Sequence, residues 1–166
     1  MRKITRIFVH CTASYQQTTT IKSLLNEFKA KGWSAPGYHW VIDTEGNVHQ
    51  LLSEDKVANG VKGYNANSIH VAWIGGIDKQ HPRGIDNRTE RQKMALYDWV
   101  AKLKMKYPQA EILGHRDISP DTNHNGIVDP WANPSLRSAA TILPSTLVPI
   151  GISKHSPRVA LIEGAV

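Results

Sequence analysis

Strands alternating with helices along one chain of 166 residues predict an α/β fold: a single domain with a mixed central β-sheet and helices packed on its faces. Three observations carry that expectation. Short β-branched runs read as buried strands, two longer stretches repeat apolar residues at helical spacing, and a turn signal joins two of the strand runs into a hairpin. Size agrees, because folding at this length buries roughly two-thirds of the unfolded surface and forms a core without covalent staples. A composition of 40% hydrophobic and 20% charged residues excludes a disordered or collagenous chain.

Ile4 to Thr12 is apolar and β-branched and predicts the first strand, closed by Thr12-Ala13-Ser14. The helix after it carries Ile21, Leu24, Leu25 and Phe28 on one face, an N-cap among Thr18 to Thr20, and Gly32 where a helix end favours positive φ. Tyr38 to Asp43 and Asn47 to Leu52 flank Thr44-Glu45-Gly46 and predict a hairpin. Ile69 to Ile74 predicts another strand, stopped by Gly75-Gly76. In the second helix Thr89-Glu90-Arg91-Gln92 fits a capping box, Leu96, Trp99, Val100, Leu103 and Tyr107 form the apolar face, and Pro108 ends it. Ala110 to Leu113 is a short strand leading into Gly114-His115-Arg116-Asp117.

The pattern breaks after Trp131. All twelve aromatic residues lie at or before that position, whereas residues 132–166 hold four of the nine prolines and one acid, Glu163. Residues 1–131 are therefore expected to form the domain, and 132–166 a divergent, irregular or poorly ordered tail.

A net charge of +6 favours an anionic partner. Nucleic acid is not the expected one, because the basic residues between Arg83 and Lys106 spread over a solvated helix face without the interleaved aromatics of a single-strand binder. No stretch approaches membrane-spanning length, and Ile7-Phe8-Val9 is too short for a signal-peptide core, so a cytoplasmic protein, held there until released, is expected. Cys11 is the single cysteine, which excludes an intramolecular disulfide and any multi-thiolate metal cluster.

Candidate chemistry centres on two of the eight histidines. His10 lies near the end of the first strand and His115 just after the last one, and ligands of open α/β sheets gather beyond the carboxyl ends of parallel strands. Two imidazoles make half a zinc site; a catalytic zinc takes three protein ligands and keeps a position for water. Each histidine alone is more often structural. Cys11 and His10 cannot act as a dyad, because neighbours on a strand point to opposite faces, and Cys11 reads as a small core residue. Neither a G-x-S-x-G elbow nor a phosphate-cradling loop is present.

Five segments then occur in order: Ile7-Phe8-Val9-His10-Cys11-Thr12-Ala13-Ser14, Gly37-Tyr38-His39-Trp40-Val41-Ile42, Lys62-Gly63-Tyr64-Asn65 through Ser68-Ile69, Gly75-Gly76-Ile77-Asp78, and Gly114-His115-Arg116-Asp117-Ile118-Ser119-Pro120. Together, over about residues 4 to 131, the chain resembles the zinc-dependent N-acetylmuramoyl-L-alanine amidases of the phage lysozyme and peptidoglycan-recognition type. The resemblance implies hydrolysis of the amide between the lactyl group of N-acetylmuramic acid and the L-alanine of the stem peptide, in cell-wall lysis or turnover. It also implies that His10 and His115 are zinc ligands and Tyr38 the active-site tyrosine, whose phenol orients the attacking water or donates to the developing oxyanion. Lys62, Tyr64, Asn65 and Ser68 fall where the family lines or supports its peptide groove. Peptidoglycan or a muropeptide is the implied partner, and an endolysin or prophage product, or a bacterial recycling amidase, the implied context.

The chain departs from the family at the third ligand. A K-x-C-P-x-F-D run usually supplies a cysteine or aspartate ligand and a lysine, but here Trp131 is followed by Ala132-Asn133-Pro134-Ser135. Asp121 or Asp129 acting as the third ligand, an incomplete site in an inactive peptidoglycan-fragment binder, and a tail read in an altered frame all remain open. Asp121, Asn123, Asn125 and Asp129 with Gly126 also resemble the start of an EF-hand calcium loop. Ala132 stands where the closing glutamate belongs, so an Asx-rich turn is the better reading.

Overall fold

The computed structural model describes residues 2–118. In chain order these form β1 (Arg6–Cys11), α1 (Ile21–Ala30), β2 (Trp40–Ile42), β3 (Val48–Gln50), β4 (Ser68–Trp73), α2 (Glu90–Lys106) and β5 (Glu111–Gly114). One sheet runs β3-β2-β4-β1-β5. It is mixed, as expected: β2, β4, β1 and β5 are parallel to one another and β3 runs antiparallel to β2. The boundary at 131/132, the tail, Asp121, Asp129 and the calcium-like loop lie outside the described residues.

Period-two alternation decides which side chains meet which helix. Ile7, Val9 and Cys11 of β1 join Ile69, Val71 and Trp73 of β4 and Ile112 of β5 beneath Leu96, Val100 and Leu103 of α2. Burying side chains of this size contributes roughly 1.5–3 kcal/mol each. On the other face α1 sets Leu24 and Phe28 against Val41, Ala72 and Ile74. Cys11 is a buried core residue, as its sequence context predicts, and an added methyl at Gly76 would stand 2.4 Å from its Sγ.

Both helices begin on reciprocal caps. Thr20 Oγ1 accepts the Ser23 N–H at 3.1 Å while Ser23 Oγ accepts the Thr20 N–H at 2.9 Å. Thr89 and Gln92 repeat the arrangement at α2, the predicted capping box. Gln92 reaches further, because its Nε2 also donates to the Ile74 carbonyl at 2.9 Å and so ties the helix start to the end of β4. The ends agree as well: α1 stops at Ala30, with Gly32 at φ +72°, and α2 stops two residues before Pro108.

The hairpin strands are shorter than their sequence pattern. The His39 carbonyl accepts N–H groups from both Leu51 and Leu52, at 2.8 and 3.3 Å. That doubled acceptor breaks the one-to-one ladder, so β2 begins at Trp40 and Tyr38 and His39 precede it.

Candidate active site

The carboxyl ends of the parallel strands carry the site. β1 and β5 share register as far as Val9 opposite Gly114, so the backbones of His10 and His115 each stand one step past that rung on neighbouring strands. The Asp117 carboxylate accepts the Gly114 N–H at 2.7 Å and secures the 3₁₀ turn His115–Ile118 that follows β5. On the β4 side, Thr12 Oγ1 accepts the Gly75 N–H at 3.0 Å and holds the end of β1 to the loop after β4.

His10 is 2% exposed, with its ring centroid 5.2 Å from that of Tyr38. Its Nε2 lies 3.0 Å from Nδ1 of His70, which points to the same side of the sheet. His70 is stacked between Phe8, at 5.4 Å and 8°, and His39, at 5.8 Å and 6°. Gly60 closes this slot from below, since a methyl there would fall 2.3 Å from His70 Nδ1. The His39 tautomer is dictated by its neighbours. Its Nδ1 accepts the backbone N–H of His70 at 3.0 Å, so the ring proton sits on Nε2 and donates to the Lys56 carbonyl at 3.1 Å. Burial, opposed only partly by the bond to Lys56, together with the Arg2 guanidinium lowers the His39 pKa to about 4. His39 is therefore neutral at pH 7.

Arg2 fixes the loop that carries Gly60. Its guanidinium donates to the Glu54 carbonyl at 2.7 Å and the Ala66 carbonyl at 2.9 Å, spanning both ends of the segment. Asn59 ties the same loop to the approach of Tyr38, donating from Nδ2 to the Ala35 carbonyl at 2.8 Å and from its backbone to Pro36 at 2.9 Å.

Tyr38 rests edge-on against Phe28, with centroids 5.6 Å apart. A small cleft opens beside it, lined by Thr12, Glu27, Phe28, Trp33, Asn59 and Gly60 among others. Burial, then the nearby Cys11 and Glu27, push the Tyr38 phenol above its ordinary pKa. It is a proton donor throughout the neutral range.

The four predicted groove residues divide. Lys62 and Tyr64 are exposed, and the Tyr64 ring lies under the Arg6 guanidinium at 5.1 Å. Asn65 and Ser68 are used inside the loop: Asn65 Oδ1 accepts the Val61 N–H at 2.7 Å, and the buried Ser68 hydroxyl donates to the Tyr64 carbonyl at 2.6 Å. Sequence reasoning missed His39 and His70. Their signal was present, since His10, His39 and His70 all fall on the same alternation of a parallel sheet, but joining them requires the strand register. Among the described residues, no three His, Cys, Asp or Glu side chains cluster to hold a metal, and no helix is long and apolar enough to cross a membrane.

The fold is one seen in solved amidases and peptidoglycan recognition proteins. N-acetylmuramoyl-L-alanine amidase LysC from Clostridium intestinale superposes with a TM-score of 0.62 at 24% identity, over 78% of this chain and 81% of that one. Bumblebee PGRP-SA does so at 0.59 with 19% identity, over 72% and 74%. The sequence pattern of the N-acetylmuramoyl-L-alanine amidases matches residues 1–130, and an endolysin of Klebsiella phage KP32 is 35% identical over 121 residues, 72% of this chain and 79% of that protein. The chain belongs to the N-acetylmuramoyl-L-alanine amidase family.

Proposed function

We propose that this enzyme is a zinc-dependent amidase that cleaves the N-acetylmuramic acid–L-alanine bond of peptidoglycan, with His10 and His115 as metal ligands and Tyr38 as the catalytic phenol. One observation supports this most directly: the buried His10 ring lies against Tyr38 at the strand level where the His115 backbone begins its turn. Imidazole is a donor that zinc favours, so His10 on β1 and His115 just past the end of β5 are of a residue type that fits the group. Asp121 or Asp129 supplies the third protein donor. When bound, zinc polarises the scissile carbonyl and lowers the pKa of water at its open position.

The chain's own residues supply the rest. Tyr38, half-buried beside the cleft and kept protonated by that desolvation, donates to the oxygen of the scissile carbonyl as negative charge develops there. Water adds to the carbonyl carbon, the C–N bond breaks, and the L-alanine nitrogen leaves with a proton. Lys62 and Tyr64, exposed on the loop between β3 and β4, meet the substrate, while Asn65 and Ser68 shape the loop that presents them. The positive net charge favours association with an anionic wall, where the protein acts after release from the cytoplasm.

Purified cell walls provide the test, with new free L-alanine amino termini as the readout. Wild type with one zinc is expected to release stem peptides. Tyr38→Phe is expected to lose roughly 10²–10³-fold in rate while keeping its zinc, as for removal of one oxyanion donor. His10→Ala is expected to lose both metal and activity. Muropeptide binding without turnover in zinc-loaded wild type would identify a binder and sink the enzymatic reading.

A further inference from the structure

We propose that Arg6 is a specificity-determining residue, whose guanidinium takes the terminal carboxylate of a stem peptide cut near His10. This rests on the reading of the chain as a stem-peptide amidase. Arg6, Phe8 and His10 alternate onto one face of β1, so about 13 Å of strand separates Arg6 from the histidine. An extended peptide covers that span in about four residues. Phe8, between the two, is fully buried, with Val61 and the Tyr64 ring packed on it. The outer side of that cover is the turn on which Lys62, Gly63 and Tyr64 are exposed. A stem peptide laid across this turn ends at Arg6.

The guanidinium is held in place with most of its donors unspent. The Tyr64 ring lies 5.1 Å beneath it, and Phe8 braces that ring edge-on with centroids 6.2 Å apart. The Ser68 hydroxyl secures the backbone of Tyr64 through its carbonyl at 2.6 Å. The hydrogen bond Arg6 makes is a long one, to Thr5 Oγ1 at 3.5 Å. Glu111 stands across the rung on β5, yet among the described residues no carboxylate forms an ion pair with Arg6. Other arginines are committed: Arg88 and Arg91 hold the carboxylates of Asp86 and Glu45, and Arg2 is bound to backbone carbonyls. A planar fork resting on an aromatic ring fits a carboxylate through two parallel hydrogen bonds, which an ammonium cannot reproduce. Lys62 on the neighbouring turn adds positive charge along the approach.

The test uses the full chain and two synthetic substrates, N-acetylmuramoyl tetrapeptides that end in a free carboxylate or in a carboxamide. Wild type is expected to have a KM roughly tenfold lower for the acid than for the amide, with equal kcat. Arg6→Gln is expected to raise KM for the acid roughly tenfold and leave the amide unchanged, which abolishes the preference. Arg6→Lys keeps the charge without the fork and is expected to retain a preference of about threefold. A merely structural role would lower activity on both substrates alike. Equal KM values for acid and amide in wild type overturn the proposal, as does an undiminished preference in folded Arg6→Gln. Should Arg6→Gln fail to fold, a preference in Arg6→Lys as large as that of wild type overturns it. Release from neither substrate by wild type would overturn the amidase reading instead, and the Kd values of the two peptides, measured by calorimetry, would still decide the role of Arg6.

Discussion

On the α2 side of the sheet, Ile7, Val9 and Cys11 meet Leu96, Val100 and Leu103, an apolar interface that needs only volume and shape. On the other side the residues between them, Phe8 and His10, meet the His70 imidazole and the Tyr38 phenol. The same strand serves both. Alternation thus lets β1 anchor the fold through one set of side chains and present chemistry through the other, and a one-residue slip would exchange the two. Volume is forgiving in a way that hydrogen-bond direction is not, so damage on the two faces should differ in kind.

The largest expected effect tests that separation from the packing side. Leu96→Ala should cost about 2–5 kcal/mol, seen as a lower urea midpoint, because it opens a cavity under β1 and β4. Release of stem peptides from cell walls by the folded variant should stay near wild type; a loss as deep as that of His10→Ala would show that the faces are not independent.

Acid should act on the histidine face. With its folded pKa near 4 and an ordinary value of 6.5, His39 binds fewer protons folded than unfolded between those limits. Its contribution to stability is complete above pH 6.5 and is lost as pH falls toward 4, by about 3 kcal/mol at most. His39→Asn retains an acceptor for the His70 N–H but cannot titrate, so its unfolding free energy should fall less between about pH 7 and about pH 4.5. Equal slopes for the two proteins would remove His39 as the source.

A smaller effect belongs to the α2 start. Thr89→Ala removes the acceptor for the Gln92 N–H and should cost about 1 kcal/mol, with Thr89→Asn recovering most of it. Neither substitution should alter stem-peptide release by the folded protein.

Local sequence carried much of this architecture. β-branched runs marked β1 and β4, helical spacing marked α1 and α2, and the Thr89–Gln92 cap was legible because capping is a contact between residues three apart. Family segments singled out His10, Tyr38 and His115, and the structure draws His10 and Tyr38 together. What escaped was non-local. His70 looked like any polar residue in a strand, and its meaning appears only when β1 and β4 are set in register and Gly60 is brought beneath its ring. The early start expected for β2 failed for a related reason, since the shared His39 carbonyl depends on how Leu51 and Leu52 arrive from β3.

The central place of β1 also bears on how the molecule is made. Arg6 pairs on one side with Ser68 and on the other with Glu111, so of the strands in this sheet the first to be synthesised is the last to gain both neighbours. Until β5 emerges, one edge of an apolar strand lies open to wrong partners, and contacts so distant in sequence form slowly. The two histidines of the proposed site, His10 and His115, are thus synthesised far apart in time.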